Sequence, residues 1–177
     1  LREAVRNGTE LGKLAEKYMK RGELVPDDLM LSLVRETLKK IKTGFILDGF
    51  PRTVLQAEGL EKILEEENAE LRRVIFIDVP DEVIIERLSN RRVCPQCGAV
   101  YNLLTNPPKR YEICDNCGSK LETRADDRPE TIKRRLEVYR KKTEALVKYY
   151  TDRGMLVKID GDGDLEKVSE RILKVMT

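Results

Sequence analysis

Short, mainly apolar runs recur along the chain and are separated by segments of helical periodicity. The runs cover residues 45–47, 74–77 and 156–159, and each ends at an aspartate: Asp48, Asp78 and Asp160. Apolar runs bounded by turn residues are typical of parallel strands that are buried on both faces. The pattern therefore predicts three such strands.

Segments with apolar residues three or four positions apart lie between these runs. They predict helices over residues 54–67, 81–90, 129–150 and 165–175. Asp81 is predicted to be an N-cap, and Pro129 lies near the first turn of its helix. The alternation of strands and helices predicts an α/β fold with a parallel sheet core flanked by helices.

Two parts of the chain depart from this alternation. The front of the chain has helical patterns without a strand between them, over residues 1–7, 10–21 and 26–40. Residues 92–125 contain prolines, cysteine pairs and short β-like stretches instead. We therefore expect a helical segment over residues 1–30, a core over 31–91 and 126–177, and a small β insertion over 92–125.

The insertion holds the 4 cysteines of the chain in two CxxC pairs, each followed by a glycine. They are Cys94, Cys97, Cys114 and Cys117. Two tight turns of this kind can direct four thiolates at one ion, which is the closed site of structural zinc. The alternatives are two disulfides or buried free thiols. We predict zinc, because so small an insertion has little apolar core of its own.

Composition excludes several classes of function. Lys and Arg total 34 and Asp and Glu total 32, so the formal net charge of +2 gives no general case for nucleic-acid binding. No apolar run approaches the roughly 18 residues that read as a membrane span. With no signal-peptide pattern and with CxxC cysteines, the cytosol is the expected compartment. The chain has no His, so a general base would be a carboxylate, a lysine or water.

A candidate site follows the first predicted strand, in the run Asp48-Gly49-Phe50-Pro51-Arg52. Ligands bind at the carboxyl ends of strands in open α/β sheets. Gly49 would allow close approach to a ligand, Pro51 would stiffen the turn, and Asp48 could hold Mg²⁺ through water. The alternative is an ordinary turn between a strand and a helix.

Several arginines also lie at the ends of predicted elements. Arg87 and Arg91 lie four apart on one helix edge, Arg124 marks the return of the insertion, and Arg135 follows on the next helix. The guanidinium fork suits phosphate oxygens. Together with Arg52, these residues predict a polyphosphate substrate. The alternative is that they are solvated arginines paired with glutamates.

At these motifs the chain resembles the adenylate kinases of the long, zinc-lidded bacterial type, which are nucleoside monophosphate kinases. The matching stretches span nearly all of the chain: residues 1–2, 22–27, 44–53 with 56–57, 87–92, the cysteine insertion and 123–127. The resemblance implies reversible phosphoryl transfer from MgATP to AMP, giving two ADP. It implies a monomer with residues 1–30 in AMP binding and residues 92–125 as a zinc lid.

The resemblance also implies roles for individual residues. It implies AMP contacts at Arg2, Val25, Gly49, Arg52, Gln56, Arg124 and Arg135, with Gln56 reading the adenine edge. It implies ATP contacts at Arg87, Arg91, Val100, Tyr101 and Gly163. The residues implied in catalysis are Asp48, Arg52, Arg87, Arg91, Arg124 and Arg135, with Asp48 orienting Mg²⁺ through water.

Two other functions remain open at this point. The cysteine insertion could be a zinc ribbon that binds nucleic acid or a partner, although acidic residues dilute the basic and aromatic ones near it. The chain could also be a kinase for another nucleoside monophosphate, although Gln56 and the long lid favour AMP.

The front of the sequence adds one expectation. The chain starts within a helical pattern without an initiator Met, and no GxxxxGK phosphate loop occurs in it. We expect this loop and its strand to belong before Leu1, in residues that are omitted, disordered or deleted. Without them, we expect residues 1–177 to lack phosphoryl transfer and native folding.

Overall fold

A computed structural model describes residues 1–176, apart from the side chain of Glu3. The helices are α1 (Arg2–Arg6), α2 (Glu10–Lys20), α3 (Asp27–Leu38), α4 (Val54–Glu66), α5 (Asp81–Ser89), α6 (Pro129–Val138), α7 (Ala145–Thr151) and α8 (Leu165–Met176). The strands are β1 (Val74–Asp78), β2 (Arg91–Val93), β3 (Val100–Asn102) and β4 (Leu156–Asp160). The predicted α/β class is confirmed.

Strands β1 and β4 form a parallel pair, in register from Val74 opposite Leu156 to Asp78 opposite Asp160. The amide of Gly161 donates to the carbonyl of Asp78 at 2.8 Å and continues the pairing past the strand end. Two of the three predicted strands are therefore confirmed, and their terminal aspartates lie at the same edge.

The predicted strand at residues 45–47 is wrong. Within residues 1–176, no backbone hydrogen bond joins this run to a neighbouring strand. Phe45 and Leu47 pack against the helical core, whereas Ile46 is 81% exposed. A strand needs a hydrogen-bonded neighbour, whereas a run of apolar residues indicates only that the segment tends to be buried. Burial on both faces is also wrong for β1, where Ile77 is 44% exposed.

Two details of the predicted helices differ in the structure. Pro80 occupies the N-cap of α5, and Asp81 is the first helical residue, where its charge still favours the helix N-terminus. The helix predicted over residues 129–150 begins with Pro129 as expected, but a π-helical turn at Tyr139–Thr143 divides it into α6 and α7. A π-helical turn adds a residue to an α-helix, and the spacing of apolar residues in the sequence does not reveal it.

Three groups of buried side chains hold the elements together. Helices α3 and α4 share Val34, Leu38, Leu60, Ile63 and Leu64, which we call the helical core. Ala57 on α4 packs with Leu146 and Tyr150 on α7. The insertion has a separate small group, Cys94, Tyr101, Cys114 and Leu121, around the antiparallel pair of β2 and β3. Among residues 1–176, no helix combines the length and apolar character that a membrane span requires.

Candidate functional site

The loop before α4 fixes the position of Arg52. Its Nε donates to the carbonyl of Gly49 at 2.8 Å, and Gly49 has a φ of +69°, which favours glycine. Thr143 on the π-helical turn donates its hydroxyl to the carbonyl of Arg52 at 2.8 Å. Thr53 caps α4 by accepting from the amide of Gln56 at 3.1 Å. Arg52 is therefore anchored from both its backbone and its side chain.

Arg52 belongs to a group of arginines that interact electrostatically. We call this the arginine cluster; it contains Arg2, Arg52, Arg91, Arg124 and Arg135. Its members come from α1, the loop before α4, β2, the return of the insertion and α6. The sequence predicted each of them as a site residue, and the structure brings them together.

Two buried carboxylates hold part of this cluster. Arg91 forms a fork on Asp127, with Nε at 2.8 Å from one carboxylate oxygen and Nη2 at 2.5 Å from the other. Arg135 donates to Asp127 at 3.2 Å. Arg2 donates to Asp126 at 2.6 Å. Both aspartates lie in the short 3₁₀ turn between the insertion and α6.

Sequence reasoning missed Asp126 and Asp127 as functional residues. The side chain of Asp127 is fully buried and that of Asp126 is 11% exposed. Buried carboxylates are rare unless they are paired. The signal was the pair of adjacent acidic residues two positions after Arg124, but their partners are distant in sequence and could not be read from it.

The carboxylates do not fully offset the positive charge. Burial, with the nearby charges of Arg2 and Arg91, lowers the pKa of Arg124 to about 10. Burial also lowers the pKa of Arg52, with Arg135 as the next contribution. Burial likewise lowers the pKa of Arg135, although Asp126 and Asp127 oppose that shift. Such a group of protonated guanidiniums is suited to a multiply charged anion.

Two openings adjoin the arginine cluster. The larger, of about 1290 Å³, is lined by all the predicted AMP contacts except Arg124, and also by Asp48. The smaller, of about 410 Å³, is lined by all the predicted ATP contacts except Gly163. The lining residues of interest are Arg2, Val25, Gly49, Arg52, Gln56 and Arg135 in the larger, and Arg87, Arg91, Val100 and Tyr101 in the smaller.

Gln56 has its amide engaged within the protein. It is 2% exposed; its Nε2 donates to Asp27 at 2.7 Å and its Oε1 accepts from the amide of Arg52 at 2.7 Å. The side chain therefore ties the start of α3 to the loop before α4. Its predicted contact with adenine stays a prediction, and would require Gln56 to exchange one of these partners.

Arg87 lies apart from the arginine cluster. It donates to the carbonyls of Gly161 and Gly163, each at 3.1 Å, and lies 3.9 Å from the carboxylate of Asp162. The structure thus joins the end of α5 to the loop after β4, where Gly163 lies. The sequence placed Arg87 and Arg91 on one edge, but Arg91 is already in β2 and turns toward Asp127.

The cysteine pairs form two turns of the same design. The amide of Gly98 donates to the carbonyl of Cys94 at 3.0 Å, and Gly118 donates to Cys114 at 2.9 Å. Their φ values are +77° and +73°, so each turn requires a residue that tolerates the left-handed region. This explains why glycine follows both CxxC pairs.

The four sulfurs fit a tetrahedral metal ion. All the Sγ atoms lie within 4.8 Å of one another, with 3.4 Å between Cys94 and Cys117 and 3.5 Å between Cys97 and Cys114. Zn–S bonds of about 2.3 Å give sulfur separations of about 3.8 Å. The four thiols are unbonded, so the predicted disulfide alternative is not what this structure contains.

Tyr101 links the cysteine cluster to the smaller opening. Its hydroxyl lies 3.6 Å from Sγ of Cys114 and accepts from the amide of Asp115 at 2.9 Å. The residue also lines the opening beside Arg91. The hydroxyl is thus committed to the turn, and the ring is the part available to a ligand.

An arginine cluster between two openings, beside an insertion that carries four clustered cysteines, defines an α/β protein with a candidate anion-binding site. A family model described as Adenylate kinase matches residues 1–155. An adenylate kinase of Kosmotoga olearia is 53% identical over 176 residues, covering 98% of this chain and 82% of the relative. One of Methanosarcina barkeri is 49% identical over 178 residues, covering 99% and 82%. One of Archaeoglobus fulgidus is 47% identical over 178 residues, covering 99% and 82%. The chain therefore belongs to the adenylate kinase family.

Proposed function

We propose that this protein catalyses reversible phosphoryl transfer between ATP and AMP, giving two ADP. The observation that carries the proposal is the arginine cluster, which lies between two openings. Most of the residues expected to bind AMP line one opening, and most of those expected to bind ATP line the other. Transfer between two bound nucleotides needs such an arrangement, because the phosphoryl group must pass between them without meeting water.

AMP occupies the larger opening in this proposal. Arg52 and Arg2 lie at its wall, and the anchoring of Arg52 by Gly49 and Thr143 supports a guanidinium held ready for the AMP phosphate. The pKa of Arg52 is lowered first by burial and then by the charge of Arg135, and a bound anion would favour the protonated guanidinium against both. Val25 and Gly49 form the neighbouring wall, and Gln56 is the proposed adenine contact.

ATP occupies the smaller opening in this proposal. Val100 and the ring of Tyr101 provide its lid side, and Arg91, a member of the arginine cluster, lines this opening. Arg87 supports the same side from the loop at Gly163. This division assigns the two nucleotides to different walls of one site.

Arg91, Arg124 and Arg135 are proposed to surround the transferring phosphoryl group. Phosphoryl transfer depends mainly on positioning and on neutralising charge on the equatorial oxygens. Guanidiniums already held by Asp127 and Asp126 lose little freedom when they bind phosphate oxygens. The reaction needs no histidine, and the sequence contains none.

Mg²⁺ is proposed to accompany ATP, and when bound it would neutralise phosphate charge. Asp48 is an exposed carboxylate on the rim of the larger opening, at the end of the loop that carries Arg52. Hard divalent cations prefer oxygen ligands and keep several waters. Asp48 is therefore the proposed residue that orients the ion through water.

Zinc is proposed as the structural ion of the cysteine cluster. Four thiolates at tetrahedral separation leave no position for a substrate, which supports a structural role. The proposed domains are then a zinc lid over residues 92–125, an AMP-binding segment over 1–30, and a core over 31–91 and 126–177. The lid begins near Arg91 and returns to the core at Arg124, and these two arginines are neighbours in the arginine cluster.

A cytoplasmic monomer is the proposed state of the protein. Unbonded thiols persist in reducing compartments, which supports the cytoplasm. The proposed reaction places AMP and ATP in two openings of one chain, so it requires no residue from a second copy. We also propose that nucleic acid is not a partner, given the formal net charge of +2.

Arg52→Ala in the full-length protein tests this function. Losing a hydrogen bond to a charged group costs about 1.5–3 kcal/mol, so kcat/KM for AMP should fall tenfold or more. The KM for ATP should change much less, because Arg52 lines only the larger opening. Arg72→Ala, at an exposed position before β1, is the matched control. An unchanged kcat/KM for AMP in Arg52→Ala would remove Arg52 from the site.

A further inference from the structure

The two cysteine turns share one design but have different surroundings. A Cβ atom added to Gly98 would lie 2.4 Å from Nη1 of Arg6, whereas a Cβ added to Gly118 would meet no atom of the described residues within 4 Å. The guanidinium of Arg6 therefore rests against the first turn, and the second turn has no such neighbour. A side chain at position 98 would displace it.

Arg6 comes from the helical segment and not from the lid. It lies in the last turn of α1, and Arg2 on the same helix binds Asp126. Residues four apart share one helix face. A single face of α1 therefore contacts both the aspartate turn that ends the lid and the first cysteine turn inside it.

The proposed metal centre explains why a cation would rest there. Four thiolates around one Zn²⁺ carry a net charge of about −2, since four negative charges exceed the two of the ion. Gly98 directly follows the ligand Cys97, and having no side chain it lets a guanidinium approach the turn. Attraction between such charges at a protein surface is modest and sensitive to salt.

We propose that Arg6 is a positioning residue that holds the lid over the site, by docking its guanidinium on the first cysteine turn of the metal–thiolate centre. This rests on the proposed zinc lid. It gives the metal–thiolate centre a second role, because the net negative charge of the centre attracts Arg6 on α1, in addition to the metal–sulfur bonds that stabilise the insertion. It also couples the two sides of the site, because α1 carries Arg2 toward AMP and Arg6 toward the lid.

The test measures lid closure directly in the full-length, zinc-loaded protein. Probes introduced as unnatural amino acids at Asn106 on the lid and at the exposed Lys142 report the distance between lid and core. The ratio of closed to open molecules is measured without nucleotide and with a bisubstrate analogue at partial saturation. Zinc content and AMP–ATP turnover are measured for every variant.

Arg6→Gln should lower the ratio of closed to open lid about two- to fivefold, the range expected for one exposed charge pair. Arg6→Lys should restore part of it, and added salt should reduce the difference between wild type and Arg6→Gln. Lys148→Gln removes the same charge from α7, where the lysine pairs with Asp152, and should leave the ratio unchanged.

The paired glycine variants separate docking from turn strain. Gly98→Ala and Gly118→Ala impose the same backbone strain at equivalent positions, but only the first should displace Arg6 and open the lid. Equal effects of the two, or an unchanged ratio in Arg6→Gln, would overturn the docking of Arg6. Absence of stoichiometric zinc would overturn the charge argument. Loss of AMP–ATP turnover in the wild type would instead contradict the proposed function.

Discussion

Residues 92–125, the proposed lid, and the helical core are stabilised in different ways. The helical core is apolar throughout, and Ile63 and Leu60 are 0% and 1% exposed. In the lid, two of the buried residues, Cys94 and Cys114, are themselves candidate metal ligands. Burial on this scale supplies little stability without the ion. The lid can therefore be internally rigid while sharing little apolar surface with the rest of the chain.

This difference suits a lid that moves. A part that depends on a wide apolar interface cannot separate from it at low cost, whereas a metal-held unit can move as a rigid body. Beside the points where the insertion leaves and rejoins the core, Arg91 and Arg135 bind Asp127 through charged contacts. Charged contacts of this kind can be exchanged for the phosphates of a ligand.

The strongest test of the comparison is removal of the metal. Structural zinc sites contribute apparent binding free energies of about 10–16 kcal/mol, so Cys114→Ser or a strong chelator should unfold the lid. Hydrogen exchange should show lost protection over residues 92–125 and retained protection over Val54–Glu66. The exposed Asn116→Ser within the same turn should change neither. Protection retained in the lid after metal removal would show that apolar packing alone holds it.

The reverse test weakens the helical core. Ile63→Ala removes buried methylenes, and such changes cost about 2–5 kcal/mol in the free energy of unfolding. Zinc content should stay the same, because Ile63 has no part in the lid. Leu55→Ala on the same helix is the control: Leu55 is 65% exposed, and the expected change is within about 0.5 kcal/mol. Zinc loss in folded Ile63→Ala would mean that the two regions are not independent.

The smallest effect concerns the charged contacts of Asp126, beside the end of the insertion. Burial acts to raise the pKa of Asp126, but the hydrogen bond and charge of Arg2, with the charge of Arg135, outweigh it and hold that pKa below its usual value. A lowered pKa means that the stabilisation is complete above the unfolded value of about 3.9 and is lost as pH falls through the folded value.

Asp126→Asn should therefore cost about 1.5–3 kcal/mol in the free energy of unfolding at neutral pH, where charged hydrogen bonds are lost. The difference from wild type should begin to shrink as pH falls below about 4, where the unfolded state takes up a proton, and should be lost as pH falls through the lower folded pKa, where wild-type Asp126 is protonated too. Chemical unfolding followed from neutral pH into this acid range measures the difference. A difference that does not change with pH would show that the effect is steric.

The sequence by itself determined the features that depend only on residues close together along the chain. The helices, the strands β1 and β4 and the two cysteine turns follow from periodicity and spacing within short windows. The candidate metal ligands could also be predicted, because each CxxC turn is a local structure whose glycine satisfies a positive φ. The arginines of the site were predicted partly from their places at the ends of elements and partly from family resemblance.

Only the tertiary structure decided which charges and strands meet. Residues 45–47 have a strand-like pattern but no pairing partner within residues 1–176, and pairing is a property of two segments. Arg2 and Asp126 are 124 positions apart, so their contact could not be predicted from local sequence. Gln56 and Asp27 lie 29 apart, and their hydrogen bond gives Gln56 an internal partner. Burial sets the need for these partners, because a charge or amide removed from water must be compensated by whatever the fold brings beside it.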